Sequence, residues 1–282
     1  MNLNAVSADP TLTKNAKGNP SLQGMLVVEN LSKSFGALMA VQDVTFAVQE
    51  GQIMSMIGPN GAGKTTIFNV ITGAYPPTSG QVSFCGTNII GWPDYKITAL
   101  GIARTFQRIR IFKNLTALDN VMVGTHCRTT ANILDAVLRT PKSVNEGACS
   151  EQRALDLLRF VGVEKYEDYL ADELSYGDQR RLEIARALAT QPKLMVLDEP
   201  TAGMNPIEKG DMMSLIRTIR DNGITIFLVE HDMKVVMGIS DWLVVLDHGV
   251  KIAEGPPAEI KQNDQVIEAY LGRGFRHEPS AS

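Results

Sequence analysis

The stretch Ile53-Met54-Ser55-Met56-Ile57-Gly58-Pro59-Asn60-Gly61-Ala62-Gly63-Lys64-Thr65-Thr66-Ile67-Phe68-Asn69-Val70-Ile71 decides the fold. Its first part is the apolar run expected of a strand covered on both faces. Its last part places Ile67, Phe68, Val70 and Ile71 at the spacing of a partly buried helix. Between them, Gly58 to Thr65 fits G-x-x-x-x-G-K-[ST] in full, and a strand before with a helix after is the context that gives this pattern its meaning. The glycines let successive backbone N–H groups turn toward one point at a helix amino terminus, where phosphate oxygens are favoured. Lys64 then bridges the β- and γ-phosphates of a nucleotide and the Thr65 hydroxyl ligates Mg²⁺. Gly58, Pro59, Asn60, Gly61, Ala62, Gly63 and Thr66 complete the cradle.

Working outward, strands and helices alternate. Met25–Val28, Val41–Val48 and Val82–Phe84 read as strands, with a turn at Gly51-Gln52. Beyond the middle of the chain come an Arg181–Thr190 helix, a Leu194–Leu197 strand, an Ile207–Asn222 helix and an Ile224–Val229 strand. This βαβ rhythm predicts an α/β fold with a mostly parallel sheet covered by helices. From about Gly101 to Gly177 the pattern changes. Helical spacing over Ile133–Leu138, Glu151–Val161 and Tyr166–Leu174, broken by Pro141 and Gly162, predicts a helical insertion. Met1–Gly24, rich in Asn, Ser, Thr, Pro, Lys and Gly, lacks an apolar centre and reads as a mobile tail.

The whole-chain figures exclude several classes. With 282 residues the chain is long enough for one large domain or two smaller ones, and 44% hydrophobic with 21% charged residues excludes wholesale disorder. Lys plus Arg is 27 and Asp plus Glu is 31, so the net charge is −4 and the basic field of non-specific nucleic-acid binding is lacking. The longest apolar runs are strand-sized, far below the roughly 18 residues a membrane-spanning helix needs. Cys85, Cys127 and Cys149 are odd in number and widely spaced, which fits incidental thiols in a reducing cytoplasm.

Two further motifs give the phosphate loop its chemistry. Leu194-Met195-Val196-Leu197-Asp198-Glu199-Pro200 ends an apolar strand in two carboxylates, and neighbouring strand positions project to opposite faces. Asp198 is then the metal carboxylate and Glu199 the general base that polarises an attacking water. Leu174-Ser175-Tyr176-Gly177-Asp178-Gln179 opens a helix. Ser175-x-x-Asp178 is a capping box, and an open helix amino terminus of this kind is also an anion site.

With the phosphate loop, the Ser175 motif and the acidic strand end in this order, the chain resembles the ATP-binding subunit of ABC transporters over about 25–272. The resemblance implies a P-loop NTPase core with a mostly parallel sheet, an antiparallel β subdomain and a helical subdomain at about 101–180. The ATPase domain then spans 25–275, between tails at 1–24 and 276–282. It further implies that Ser175, Tyr176, Gly177 and Asp178 contact ATP held by a second, homologous or identical, ATPase subunit. Tyr176 and Asp178 depart from the common L-S-G-G-Q signature, and Asn205 stands in Ala202-Gly203-Met204-Asn205 where an Asp is usual.

Position by position, Gln107 in Arg104-Thr105-Phe106-Gln107 matches the loop that senses Mg²⁺ and the attacking water. His231 in Glu230-His231-Asp232 matches the switch histidine that contacts the γ-phosphate, and Phe35 falls where an aromatic ring stacks on adenine. Finer likeness in Gly101–Gln107, Ile133–Pro141, Arg180–Leu188 and Glu230–Asp241 is to ATPases of bacterial branched-chain amino-acid importers. That implies ATP as substrate with Mg²⁺, two membrane permeases, indirect dealings with a periplasmic solute-binding protein, no nucleic-acid partner, and a seat on the inner face of the cell membrane. Importers of urea or amides and the lipopolysaccharide-transport ATPase are the alternatives within transport. A non-transport ABC ATPase is a further alternative.

Overall fold

The computed structural model describes residues 13–14, 20–128 and 141–271. The helix expected at Ile133–Leu138, the carboxyl tail at 276–282 and most of the amino-terminal tail lie outside them. In chain order, β1 (Leu26–Phe35), β2 (Leu38–Val48) and β3 (Ile53–Ile57) precede α1 (Lys64–Ile71). Next come β4 (Ser79–Phe84), β5 (Thr87–Asn88), α2 (Asp94–Leu100), β6 (Ile102–Arg104), α3 (Ala117–Thr125) and α4 (Pro141–Val161). Then follow α5 (Tyr176–Ala189), β7 (Leu194–Asp198), α6 (Pro206–Asp221), β8 (Thr225–Val229) and α7 (Met233–Ile239). The described chain ends with β9 (Trp242–Asp247), β10 (Val250–Gly255), α8 (Pro257–Ile260) and α9 (Asp264–Leu271).

The central sheet has the order β10-β9-β3-β8-β7-β6. Its pairings are parallel except for β10, which lies antiparallel to β9 at one edge. A parallel sheet must be covered on both faces, and the strand sequences show it. Met195 and Leu197 of β7 enter the core shared with α3, α4, α5 and α6. Their neighbours Leu194 and Val196 enter the core shared with α1 and β1–β4. The alternation repeats in β8, where Phe227 sits between Phe46 of β2, at a centroid distance of 5.5 Å, and Phe68 of α1, at 4.8 Å. That aromatic stack joins the central sheet to a second, wholly antiparallel sheet of order β2-β1-β4-β5.

The structure departs from the sequence expectations in the middle of the chain. Ile102–Arg104 is the edge strand β6, paired with β7, and so belongs to the central sheet. Pro141 is the first described residue of α4, a helix end at which a missing N–H costs nothing, and the helix expected before it lies outside the described residues. Tyr166–Leu174 makes no α-helix. It follows a 3₁₀ turn at Glu164–Tyr166, holds a second at Ala171–Glu173, and bridges back to Thr116 and Leu115. Here backbone partners on another segment override a locally helical spacing. The strands β9 and β10 carry no mark in the motif reading above. Among the described residues, no helix is long and apolar enough to cross a membrane.

Candidate active site

Because β3, β6, β7 and β8 run parallel, their carboxyl ends open on one edge, where α/β sheets place ligands. The loop after β3 is Gly58–Gly63. Gly58 has φ 151° and Gly63 φ 98°, and a Cβ on Gly58 would lie 2.2 Å from the Leu246 carbonyl oxygen. Side chains are therefore excluded at the position where the strand turns into the cradle. Gly63 is the N-cap of α1, and its carbonyl accepts from Ile67 N–H. Pro59 and Ala62 close the turn with one hydrogen bond, while Asn60, Gly61 and Thr65 lie exposed and Thr66 half-buried. Lys64 is 8% exposed, and its ammonium donates to the carbonyls of Gly58 at 2.7 Å and Pro59 at 2.9 Å. Burial lowers its pKa, and the carboxylates Glu199 and Asp198 work against that shift.

Asp198 ends β7 and is 3% exposed. Arg104, at the end of the neighbouring strand β6, reaches its Oδ2 at 3.3 Å. The same guanidinium donates to Asn69 Oδ1 of α1 at 2.7 Å and to Oγ1 of its C-cap residue Thr72 at 2.8 Å. Burial raises the pKa of Asp198, and Arg104 offsets only part of that rise. Glu199 follows with φ 47°, a left-handed backbone uncommon for a glutamate. Its Oε2 is met by Gln107 Nε2 at 3.2 Å and lies 3.5 Å from His231 Nδ1. Gln107 and His231 come from the loop after β6 and the end of β8, so two separate segments converge on one carboxylate oxygen.

Three contributors are absent from the sequence reading. Arg104 is one; it lies three residues before Gln107 at a strand end. Glu230 is another. It is fully buried, its Oε1 accepts from Thr201 N–H at 3.0 Å and from the Thr201 hydroxyl, and its Oε2 accepts from His231 N–H at 3.1 Å. A fully buried glutamate beside the histidine thus ties the chain after Glu199 to the chain at His231. The third is Tyr75. Phe35 is 46% exposed and meets Tyr75 edge-on at 5.3 Å, with the Lys33 ammonium 5.0 Å from one ring and 5.1 Å from the other. The exposed Phe35 ring thus has an aromatic neighbour and a cation beside it.

The remaining predicted residues lie on other elements. Ser175 is the N-cap of α5; its hydroxyl donates to Asp178 Oδ2 at 2.8 Å and accepts from Asp178 N–H at 3.2 Å. Asp178 is therefore engaged with the capping hydroxyl, while the return bond of a capping box, from Ser175 N–H to its carboxylate, is not formed. Tyr176 is 46% exposed and lies along Gly203. Gly177 is half-buried. Asn205 is the N-cap of α6; its Oδ1 accepts from Ile207 and Glu208 N–H, and Glu208 returns the bond to Asn205 N–H. Asn205 and Asp serve equally well in that capping role.

The ABC transporter family model matches residues 41–202. A model described as the branched-chain amino acid ATP-binding cassette transporter matches residues 250–276. The high-affinity branched-chain amino acid transport ATP-binding protein BraF of Pseudomonas aeruginosa is 45% identical over 249 residues, 88% of this chain and 98% of that protein. The corresponding protein LivG of Escherichia coli is 42% identical over 251 residues, 89% of this chain and 98% of that one. Among solved structures, the ADP conformation of MJ1267, an ATP-binding cassette of an ABC transporter, superposes with a TM-score of 0.77 at 33% identity, covering 89% of this chain and 99% of that one. The dimeric structure of MJ0796, a bacterial ABC transporter cassette, gives 0.71 at 26% identity, covering 83% and 99%. A phosphate loop, a paired acidic strand end and a carboxylate shared by Gln107 and His231, on this fold and with these relatives, place the chain in the ABC transporter family, as an ATP-hydrolysing subunit.

Proposed function

We propose that the chain powers a bacterial importer of branched-chain amino acids, seated on the cytoplasmic face of the membrane beneath two permease subunits and served by a periplasmic solute-binding protein. The match over residues 250–276 and the 45% identity to BraF support this solute class over urea, amides or lipopolysaccharide. The observation that carries the hydrolytic part is the meeting of Gln107 and His231 on Glu199 Oε2.

In this reading Lys64 exchanges the Gly58 and Pro59 carbonyls for β- and γ-phosphate oxygens, a trade favoured by charge-assisted hydrogen bonds. Phe35 and Tyr75 offer the adenine a ring face. Thr65, Gln107 and Asp198 are hard oxygen donors of the kind Mg²⁺ accepts alongside substrate phosphates. Among the described residues no group of three or more His, Cys, Asp or Glu could cage a metal without the nucleotide. Bound there, Mg²⁺ would neutralise charge on the phosphates and orient them. Glu199 Oε2 takes the proton of the attacking water, while Gln107 and His231 fix that oxygen and the water beside it.

Ser175, Tyr176, Gly177, Asp178 and Asn205 contact ATP held by a second cassette, a copy of this chain or a homologue. Exposure of the α5 amino terminus and the paired cassettes of MJ0796 support that split site. Next to Gln107, a groove lined by the apolar Phe106, Ile111 and Phe112 and by charges of both signs, Arg110 and Arg186 with Asp94 and Glu183, suits a permease segment with apolar and charged side chains. ATP favours the closed pair, and its hydrolysis releases it.

The test is purification of the tagged chain from membranes with its bound permeases, followed by reconstitution in vesicles. ATP-dependent uptake of labelled leucine, lost with Lys64→Ala, supports the reading. Uptake of urea but not leucine, or no ATP dependence, overturns it.

A further inference from the structure

The helix α5 carries more than the Ser175 cap. Arg180, Glu183 and Arg186, at i, i+3 and i+6, lie on one side of the helix and grip the loop that holds Gln107. Arg180 and Glu183 form an ion pair at 2.7 Å with side chains 0% and 2% exposed. Arg180 also donates to the carbonyls of Phe106 at 2.6 Å and Gln107 at 2.8 Å. Glu183 Oε1 accepts from the N–H groups of Phe106 at 3.4 Å and Arg110 at 3.1 Å. Arg186 donates to the Arg110 carbonyl. The far end of the loop is pinned separately by buried Asn120, which exchanges two hydrogen bonds with the Phe112 backbone.

A buried ion pair is a poor source of stability, because desolvation cancels most of its attraction and an apolar pair of the same size often does as well. What apolar side chains cannot do is specify the backbone positions of Phe106, Gln107 and Arg110. We infer that Arg180 and Glu183 are positioning residues that make α5 and the Gln107 loop one rigid body. Displacement of the Ser175 end of α5 by the opposite cassette's nucleotide then moves Gln107 against Glu199. This rests on the reading of Gln107 and Ser175 given above. Glu183 and Arg186 also line the groove assigned to the permease, so the same body carries motion toward the membrane.

The test uses the full-length chain with MgATP and follows kcat, KM and hydrogen exchange of the amides at residues 105–112. Arg180→Met combined with Glu183→Leu removes both charges together. Arg180→Lys keeps the charge beside Glu183 but lacks the fork that spans two carbonyls, so it tests the proposal even where the double variant does not fold. Both are expected to speed exchange of these amides and to lower kcat about tenfold with KM for ATP within about twofold, the pattern of a misplaced catalytic loop. Unchanged kcat despite faster exchange overturns the proposal, as does a fall in kcat with unchanged exchange. Gln107→Ala is measured in parallel. If it retains full kcat, the reading of Gln107 fails and the inference goes with it. If it loses kcat while Arg180→Lys and the double variant do not, only the clamp fails.

Discussion

Two regions of this chain are assigned to the same nucleotide chemistry, and they are built in opposite ways. The phosphate-loop region lies at the carboxyl edge of a parallel sheet, with Lys64 and Asp198 buried and Arg104 tying two strands to α1. The Ser175 region lies at the start of α5, where Ser175 and Asp178 bond to each other and Tyr176 is exposed. The first holds charges whose burial is already met by local partners. The second presents a capped helix end to whatever approaches. On the split-site reading proposed above, ATP is hydrolysed only when another surface completes the first region, and the contrast between the two supplies a physical reason for the cassette to work in pairs.

Substitutions should separate the two regions by what they damage. Glu199→Gln leaves the carboxylate shape but removes the base, so kcat should fall by about 10²–10⁴-fold while ATP still binds, read by phosphate release and nucleotide binding. Lys64→Ala should weaken ATP binding by roughly 100-fold, about 2.7 kcal/mol, measured by titration with a fluorescent ATP analogue; native affinity would remove Lys64 from the site. Both effects belong to the buried region; the loss of ATP binding is expected even in a single protomer, the loss of turnover in the pair. Asp178→Gln belongs to the exposed region. It should change stability by less than about 1 kcal/mol, since Ser175 remains as the N-cap, and should alter turnover only in the paired state. An equal effect on monomeric ATP binding would erase the distinction drawn here.

The smallest expected effect is in pH dependence. Folding raises the pKa of Asp198, so this group favours the folded state fully at pH below the ordinary carboxylate value of 3.8, and that contribution is lost as pH rises through the raised folded value. Asp198→Asn should therefore abolish hydrolysis yet gain thermal stability relative to the native chain as pH rises from that range to neutrality. A stability difference that shrinks over the same interval, in paired melting curves, would mean that Arg104 and not burial dominates at Asp198.

Much of this was legible in the sequence because it depends on short-range constraints. Gly58–Thr65 must follow a strand and open a helix, and the apolar run before Asp198 needs burial on both faces; the structure has both. Ser175 caps α5 as the spacing predicts, but Asp178 Oδ2 accepts from the Ser175 hydroxyl and not from its backbone N–H, so the reciprocal half of the capping box is not formed. The segments that were missed depend on distant partners. β6 is three residues long and earns its place by pairing with β7. Tyr166–Leu174 has helical spacing, yet its backbone is claimed by Leu115 and Thr116. Glu230 and Arg104 looked like ordinary charges, because nothing in a linear sequence shows which groups will be enclosed together. The signal that could have found them is adjacency to a motif, Glu230 to His231 and Arg104 to Gln107.

The divided site is tested most directly by sedimentation of the full-length Glu199→Gln chain with MgATP, alone and with Ser175→Arg added. The account predicts a dimer that forms only with MgATP, and its loss with Ser175→Arg while each monomer still binds ATP. A nucleotide-bound chain that pairs neither with itself nor with a homologous cassette co-purified with it, or a pair indifferent to Ser175→Arg, would contradict it.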